Sequence, residues 1–200
     1  MSEADAPPRT SRGARLVYLM GASGSGKDTV LRLLARLPHA GAPVLVAHRY
    51  ITRGSDAHEA SVPLDPREFA RRAALGCFAL HWDSHGLRYG VGIEIDAWMA
   101  RGAMVIVNGS RIHLTAAHAR YPALCAVHLA VDPAALERRL IARGRETPRA
   151  IAERLERAQR PFDVPEGCDL RRLDNSGAPE AAAARLLDWI HARDTAQTGA

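Results

Sequence analysis

Short apolar runs alternate with helix-spaced apolar positions along most of the chain. Leu16–Met20 is continuously apolar, as expected of a strand covered on both faces. From about Gly26 onward, Val30, Leu33, Leu34 and Leu37 recur at i, i+3, i+4 and i+7, which predicts an amphipathic helix ended by Pro38. Pro43 precedes a second predicted strand, Val44 to about Thr52. Asp65-Pro66-Arg67-Glu68 combines an N-cap, a proline at the first helical position and an early glutamate, so a helix is predicted to about Leu75. The aromatic, glycine-rich stretch 78–92 predicts an irregular strand pair, followed by a short helix over 95–100 and a strand over 103–107. A strand over 124–131 comes next, then helices from Pro133 through Arg143 and from Thr147-Pro148 to about Arg160. A short strand over 170–173 precedes a closing helix that carries Ala183, Leu186, Leu187 and Ile190 on one face. This alternation argues for an α/β fold with a parallel sheet and crossover helices.

Composition narrows the class. The 200 residues are enough for one domain with inserted lids, spanning 15–193. Residues 1–14 form a polar leader without the apolar stretch of a signal peptide, and 194–200 form a frayed tail, both expected to be disordered. No apolar run approaches the length of about 18 residues that spans a bilayer, so no membrane role is expected. Cys77, Cys125 and Cys168 are odd in number and lack a CxxC pair, which fits a reducing cytoplasm rather than a disulfide framework. The net charge of +5 excludes an acidic disordered chain, yet no basic patch with interleaved aromatics suggests nucleic acid. Trp82 and Trp98 read as core residues. Of 27 basic residues, 26 are arginine and Lys27 is the single lysine. Codon bias accounts for the arginines but not for where the exception falls.

Lys27 closes Gly21-Ala22-Ser23-Gly24-Ser25-Gly26-Lys27-Asp28-Thr29, a GxxxxGK pattern placed directly after a buried strand and directly before an amphipathic helix. That context defines a phosphate-binding loop and with it a three-layer P-loop NTPase fold: glycines let backbone N–H groups turn inward, the helix start adds positive potential, and the lysine reaches the outer phosphates of ATP. Asp28 stands where a Ser or Thr hydroxyl ordinarily ligates Mg²⁺, so it either binds the metal or caps the helix start.

Three further segments carry a resemblance. Thr52-Arg53 with Glu59 resembles the TTRxxRxGE motif of guanylate kinases, whose second arginine becomes Asp56 here; Phe78-Ala79-Leu80-His81-Trp82 with His85-Gly86-Leu87-Arg88-Tyr89-Gly90 resembles F-L-E-W…HGxxYG; and 136–144 with Ile151-Ala152-Glu153-Arg154-Leu155 resembles the arginine lid. The chain is thus similar to the guanylate-kinase branch of P-loop kinases from about Leu16 to Leu187. That implies an acceptor-binding insertion at about 49–92 and a lid at about 138–160. The guanine-reading positions are replaced, by Arg49 and His81, and the acidic strand end becomes Val107-Asn108-Gly109-Ser110-Arg111. An imidazole cannot stand in for a glutamate that accepts hydrogen bonds from guanine. With the Gly-Lys-Asp loop, these segments resemble the ribose 1,5-bisphosphate phosphokinases of bacterial phosphonate catabolism.

The resemblance implies transfer of the ATP γ-phosphoryl group to a doubly phosphorylated sugar, with Lys27, Arg143 and Arg154 at the transferring group. Arg49, Arg53, His81, Arg88, Tyr89, Asn108 and Arg111 would hold the acceptor, although Arg49, Arg88, His81 and His85 also fit surface roles. Arg138, Arg139 and Arg157 read as solvent-facing. A nucleoside monophosphate kinase and a non-catalytic binding module are the alternatives, and a homodimer is left open.

Overall fold

The computed structural model describes residues 12–38, 41–53, 61–144 and 146–198. In chain order the elements are β1 (Leu16–Met20), α1 (Lys27–Leu34), β2 (Val44–Val46), β3 (Arg49–Ile51), β4 (Ser61–Pro63), α2 (Pro66–Ala74), β5 (Phe78–Ser84), β6 (Leu87–Gly92), α3 (Glu94–Ala100), β7 (Met104–Asn108), α4 (Leu114–Arg120), β8 (Cys125–Ala130), α5 (Pro133–Arg143), α6 (Pro148–Gln159), β9 (Asp169–Asp174) and α7 (Pro179–Thr198). Five parallel strands form the central sheet in the order β2-β7-β1-β8-β9. Leu16, Tyr18 and Met20 pack on one side with Ile95, Leu114 and Tyr121, while Val17 and Leu19 pack on the other with Leu34, Leu186 and Ile190. Helices therefore cover both faces and explain why β1 is apolar at every position. Each fully buried side chain of this kind contributes roughly 1.5–3 kcal/mol of transfer free energy.

A second sheet, β4-β3-β6-β5, stands beside the carboxyl edge of the first. The sequence predicts one strand over 44–52, whereas the chain forms two. Val44–Val46 pairs with β7, the Ala47 amide still donates to the Ile106 carbonyl at 2.8 Å, and Arg49–Ile51 then joins the second sheet. The β-rich composition is continuous across this switch, so only the tertiary pairing reveals it. A two-residue turn at His85-Gly86, with positive φ at both residues (52° and 74°), joins β5 to β6 and sets Trp82 opposite Tyr89. Helix α4 was not expected; it buries Leu114 and Ala117.

The chain ends also differ from expectation where they are described. Helix α7 runs to Thr198, past the predicted limit near residue 193, because Asp194 pairs with Arg15 at 2.5 Å and Gln197 donates to the Ala14 carbonyl. Arg12 and Ala14 are held in turn: the Ala123 amide donates to the Arg12 carbonyl at 3.0 Å and Arg193 Nε to that of Ala14 at 2.8 Å. Residues 1–11, Asp56 and Glu59 lie outside the described residues.

Candidate active site

The site is built at the carboxyl edge of the central sheet, where β1 lies between β7 and β8 and ligand crevices form in open α/β sheets. Gly24 and Gly26 both take φ of +91°, closed to ordinary side chains, which lets the loop turn sharply into α1. At Gly26 a Cβ would also lie 2.7 Å from the Asn175 amide nitrogen. That same nitrogen donates to the Ser25 carbonyl at 2.7 Å, so Asn175, almost wholly buried at the end of β9, props the loop from below. Lys27 Nζ arches across the loop and donates to the carbonyls of Gly21 at 2.9 Å and Ala22 at 3.2 Å, a position from which an ammonium meets phosphate oxygens seated in the loop.

Asp28, in the first turn of α1, joins this loop to the second sheet and to the end of β7. Its Oδ1 accepts from Asn108 Nδ2 at 2.7 Å and from the Arg49 guanidinium at 3.3 Å. Asn108 is 3% exposed at the end of β7, and its Oδ1 is buried without a hydrogen-bond partner among the described residues. A carboxylate and an orphaned amide oxygen are the hard donors that Mg²⁺ takes alongside phosphates. No three His, Cys, Asp or Glu side chains gather to hold a metal among the described residues, so a cation here would draw its other ligands from phosphate and water.

Arg49 also lies over the Tyr89 ring, with its guanidinium carbon 5.8 Å from the centroid. Tyr89 stacks on Trp82 at 5.5 Å and Trp82 on His113 at 5.3 Å. This column lies on the face of the second sheet that carries Arg49. The strand register puts His81 opposite Gly90 and Arg88 opposite Asp83, on the other face of the second sheet. There His81 neighbours Phe78, and Arg88 pairs with Asp83 at 3.6 Å. The structure therefore does not bring His81 and Arg88 together with Arg49, Tyr89, Asn108 and Asp28. Arg53 is exposed beyond β3.

From α6, Arg154 reaches the phosphate loop: one guanidinium nitrogen donates to Ser23 Oγ at 2.9 Å, while its Nε pairs with Glu146 at 2.9 Å. Arg143 sits exposed at the end of α5. Arg111 is not brought to Asp28, Arg49 and Asn108; its guanidinium donates to main-chain carbonyls at the end of α6. Three contributors escaped the sequence reading. Asn175 could have been found from its place just after a parallel strand, in Asp174-Asn175-Ser176-Gly177. Glu146 is the acidic residue preceding Thr147, the N-cap of α6. Arg139, read as solvent-facing, donates to the Gly177 carbonyl at 3.0 Å next to the loop.

Burial, then the charge of His81, holds the His113 imidazole below its ordinary pKa; burial, then Arg111, Arg172 and Lys27, does the same to His128. A base depressed in the folded state adds stability that is complete above its unfolded pKa of about 6.5 and is lost as pH falls toward the folded value. Acidification from about pH 7 to about pH 5 is therefore expected to lower Tm. His113→Phe keeps the stack on Trp82 and removes the titration, so its Tm should fall less steeply over that interval. An unchanged slope would contradict the assignment.

No protein-family model matches the chain. Ribose 1,5-bisphosphate phosphokinase PhnN of Achromobacter xylosoxidans (strain A8) is 63% identical over 182 residues, covering 91% of this chain and 95% of that protein. The protein of the same name from Burkholderia mallei (strain SAVP1) is 53% identical over 174 residues, covering 86% and 93%. Guanylate kinase from Anaplasma phagocytophilum superposes with a TM-score of 0.66 at 18% identity over 92% of this chain and 88% of that one, a likeness of fold. With relatives this similar over nearly their whole length, the chain belongs to the ribose 1,5-bisphosphate phosphokinase family, on a guanylate-kinase-like fold.

Proposed function

We infer that this protein transfers the γ-phosphoryl group of ATP to the 1-phosphate of ribose 1,5-bisphosphate, giving 5-phospho-α-D-ribosyl 1-diphosphate and ADP, a step the family resemblance connects with organic phosphonate breakdown. The observation that carries this reading is the bonding of Asp28, inside the donor loop, to Arg49 and Asn108 on the acceptor side. Donor and acceptor groups thereby meet across one carboxylate, in a chain whose relatives bear that enzyme's name.

An oxygen of the 1-phosphate attacks the γ-phosphorus, the bond from γ-phosphorus to the β,γ-bridging oxygen breaks, and ADP leaves with that electron pair. The acceptor oxygen is already anionic at neutral pH, so no general base is required, and the protein acts by positioning and by cations around the transferring group. Amides from Ala22 to Thr29 seat the donor phosphates, and Lys27 exchanges the Gly21 and Ala22 carbonyls for phosphate oxygens. Arg154 approaches from the lid beside Ser23 and supplies charge at the donor. Arg49 releases Asp28 to meet an acceptor phosphate, with Tyr89 keeping its plane in place. Mg²⁺, held by Asp28 and the Asn108 amide oxygen, would supply charge neutralisation between the donor phosphates. Closure of α5 and α6 over the loop excludes water and spares ATP from hydrolysis.

The test is a steady-state comparison of acceptors. Ribose 1,5-bisphosphate is expected to exceed GMP by at least about a hundredfold in kcat/KM, since His81 stands where guanylate kinases present a glutamate to guanine and Arg49 is offered to a second phosphate. Comparable turnover of GMP would contradict the reading.

A further inference from the structure

Arg111 was expected to touch the acceptor, yet its guanidinium points the other way. One nitrogen donates to the Ala158 carbonyl at 2.8 Å and to that of Arg160 at 3.5 Å, and the other to the Arg157 carbonyl at 2.8 Å. These are carbonyls of the last turn of α6 and its cap, groups that a helix leaves without internal partners and where a cation is favoured. The planar fork suits two carbonyls at once. Its carbon lies 5.8 Å from the Phe162 ring centroid, and Phe162 in turn meets His128 edge-on at 5.1 Å. Partial burial costs the guanidinium hydration, and the three carbonyls replace it.

The segment that carries Arg111 is fixed to the core. The Ser110 amide donates to Tyr18 Oη at 2.9 Å, Tyr18 donates back to the Ser110 carbonyl at 2.9 Å, and the Gly109 amide donates to the Leu19 carbonyl at 2.8 Å. A Cβ on Gly109 would fall 2.1 Å from the Tyr18 ring, so glycine is required for this approach. Three residues before Arg111, the same strand end presents Asn108 to Asp28. Six residues before the carbonyl of Arg160, α6 presents Arg154 to Ser23 of the phosphate loop. One short rigid post thus holds an acceptor-side residue at one end and the lid helix at the other.

We propose that Arg111 is a positioning residue: it fastens the C-terminal turn of α6 to the end of β7 and so sets the point from which Arg154 reaches the donor phosphates. It acts through Arg154 and not through the acceptor. The proposal rests on the lid role given to Arg154 above.

The test is a double-mutant cycle with ATP and ribose 1,5-bisphosphate. Arg111→Met is expected to lower kcat about tenfold, as small misplacements of a charged group do, with the acceptor KM moved less than about twofold. In the Arg154→Met background the same substitution should cost less than about twofold, because the group it positions is gone. Arg111→Lys keeps a cation at the helix end and should retain intermediate turnover. Multiplicative losses, or a tenfold rise in acceptor KM at unchanged kcat, would overturn the proposal; the second result would restore Arg111 to the acceptor site. Amide hydrogen exchange over 148–160, measured with a non-hydrolysable ATP analogue and no acceptor, gives a readout independent of the substrate. Faster exchange in Arg111→Met supports the proposal even if ribose 1,5-bisphosphate proves a poor acceptor, and unchanged exchange overturns it. An Arg154→Met enzyme with full activity would overturn the lid reading and this proposal together.

Discussion

Replacing Lys27 by arginine lowers kcat by about two to three orders of magnitude while leaving the fold and thermal stability close to those of the parent. The magnitude is that of removing one preorganised donor at a site of developing charge. Arginine keeps the positive charge, so the effect isolates shape. An ammonium is compact and turns three donors inward, and here it already spans carbonyls of Gly21 and Ala22 within a single loop. A planar guanidinium is wider and cannot follow the same arc. Its nitrogens would meet a loop whose alternative positions are closed by Asn175 beneath Gly26 and by Leu136 and Leu140 beside Gly24. In a chain with 26 arginines and one lysine, near-normal activity of Lys27→Arg would mean that the location of that lysine carries no chemistry.

Asp28→Ala is expected to have the second-largest effect, a loss of about a hundredfold in turnover. The substitution strips Asn108 Nδ2 of its 2.7 Å acceptor in an almost fully buried setting and leaves the Arg49 guanidinium without this carboxylate. An unsatisfied buried donor costs about 1–3 kcal/mol, so Tm should fall as well. Asp28→Asn separates the two roles proposed for this residue. It keeps an oxygen for Asn108 and Arg49 but removes the charge, so stability should recover while the Mg²⁺ concentration needed for half-maximal rate stays raised. If Asp28→Ala left the Mg²⁺ dependence of turnover unchanged, the metal role would be contradicted and only the bridging role would remain.

Elements with a local chemical signature could be read from the sequence. Asp65 and Pro66 start α2, Thr147 and Pro148 start α6, and in both cases the predicted cap accepts from the backbone amides it should. The phosphate loop was equally readable, because its strand, glycines and helix are contiguous. What remained hidden depends on distant pairing. Nothing local marks Ala47 as the point where the chain leaves one sheet for another. The faces of β5 and β6 follow from a two-residue turn; one residue more would have turned His81 toward Arg49 instead of Trp82. Arginine supplied the least information, since a guanidinium that meets phosphate, as proposed for Arg49, and one that caps a helix, as Arg111 does, are the same residue in an arginine-rich sequence.

The central claim is that the phosphoryl group lands on the 1-phosphate of the sugar, and phosphorus NMR of the reaction of ATP with ribose 1,5-bisphosphate tests it most directly. The account predicts ADP in equal amount with a new pair of coupled diphosphate resonances on carbon 1, the 5-phosphate resonance remaining in place. ADP accompanied only by inorganic phosphate, or a diphosphate formed at carbon 5, would contradict it.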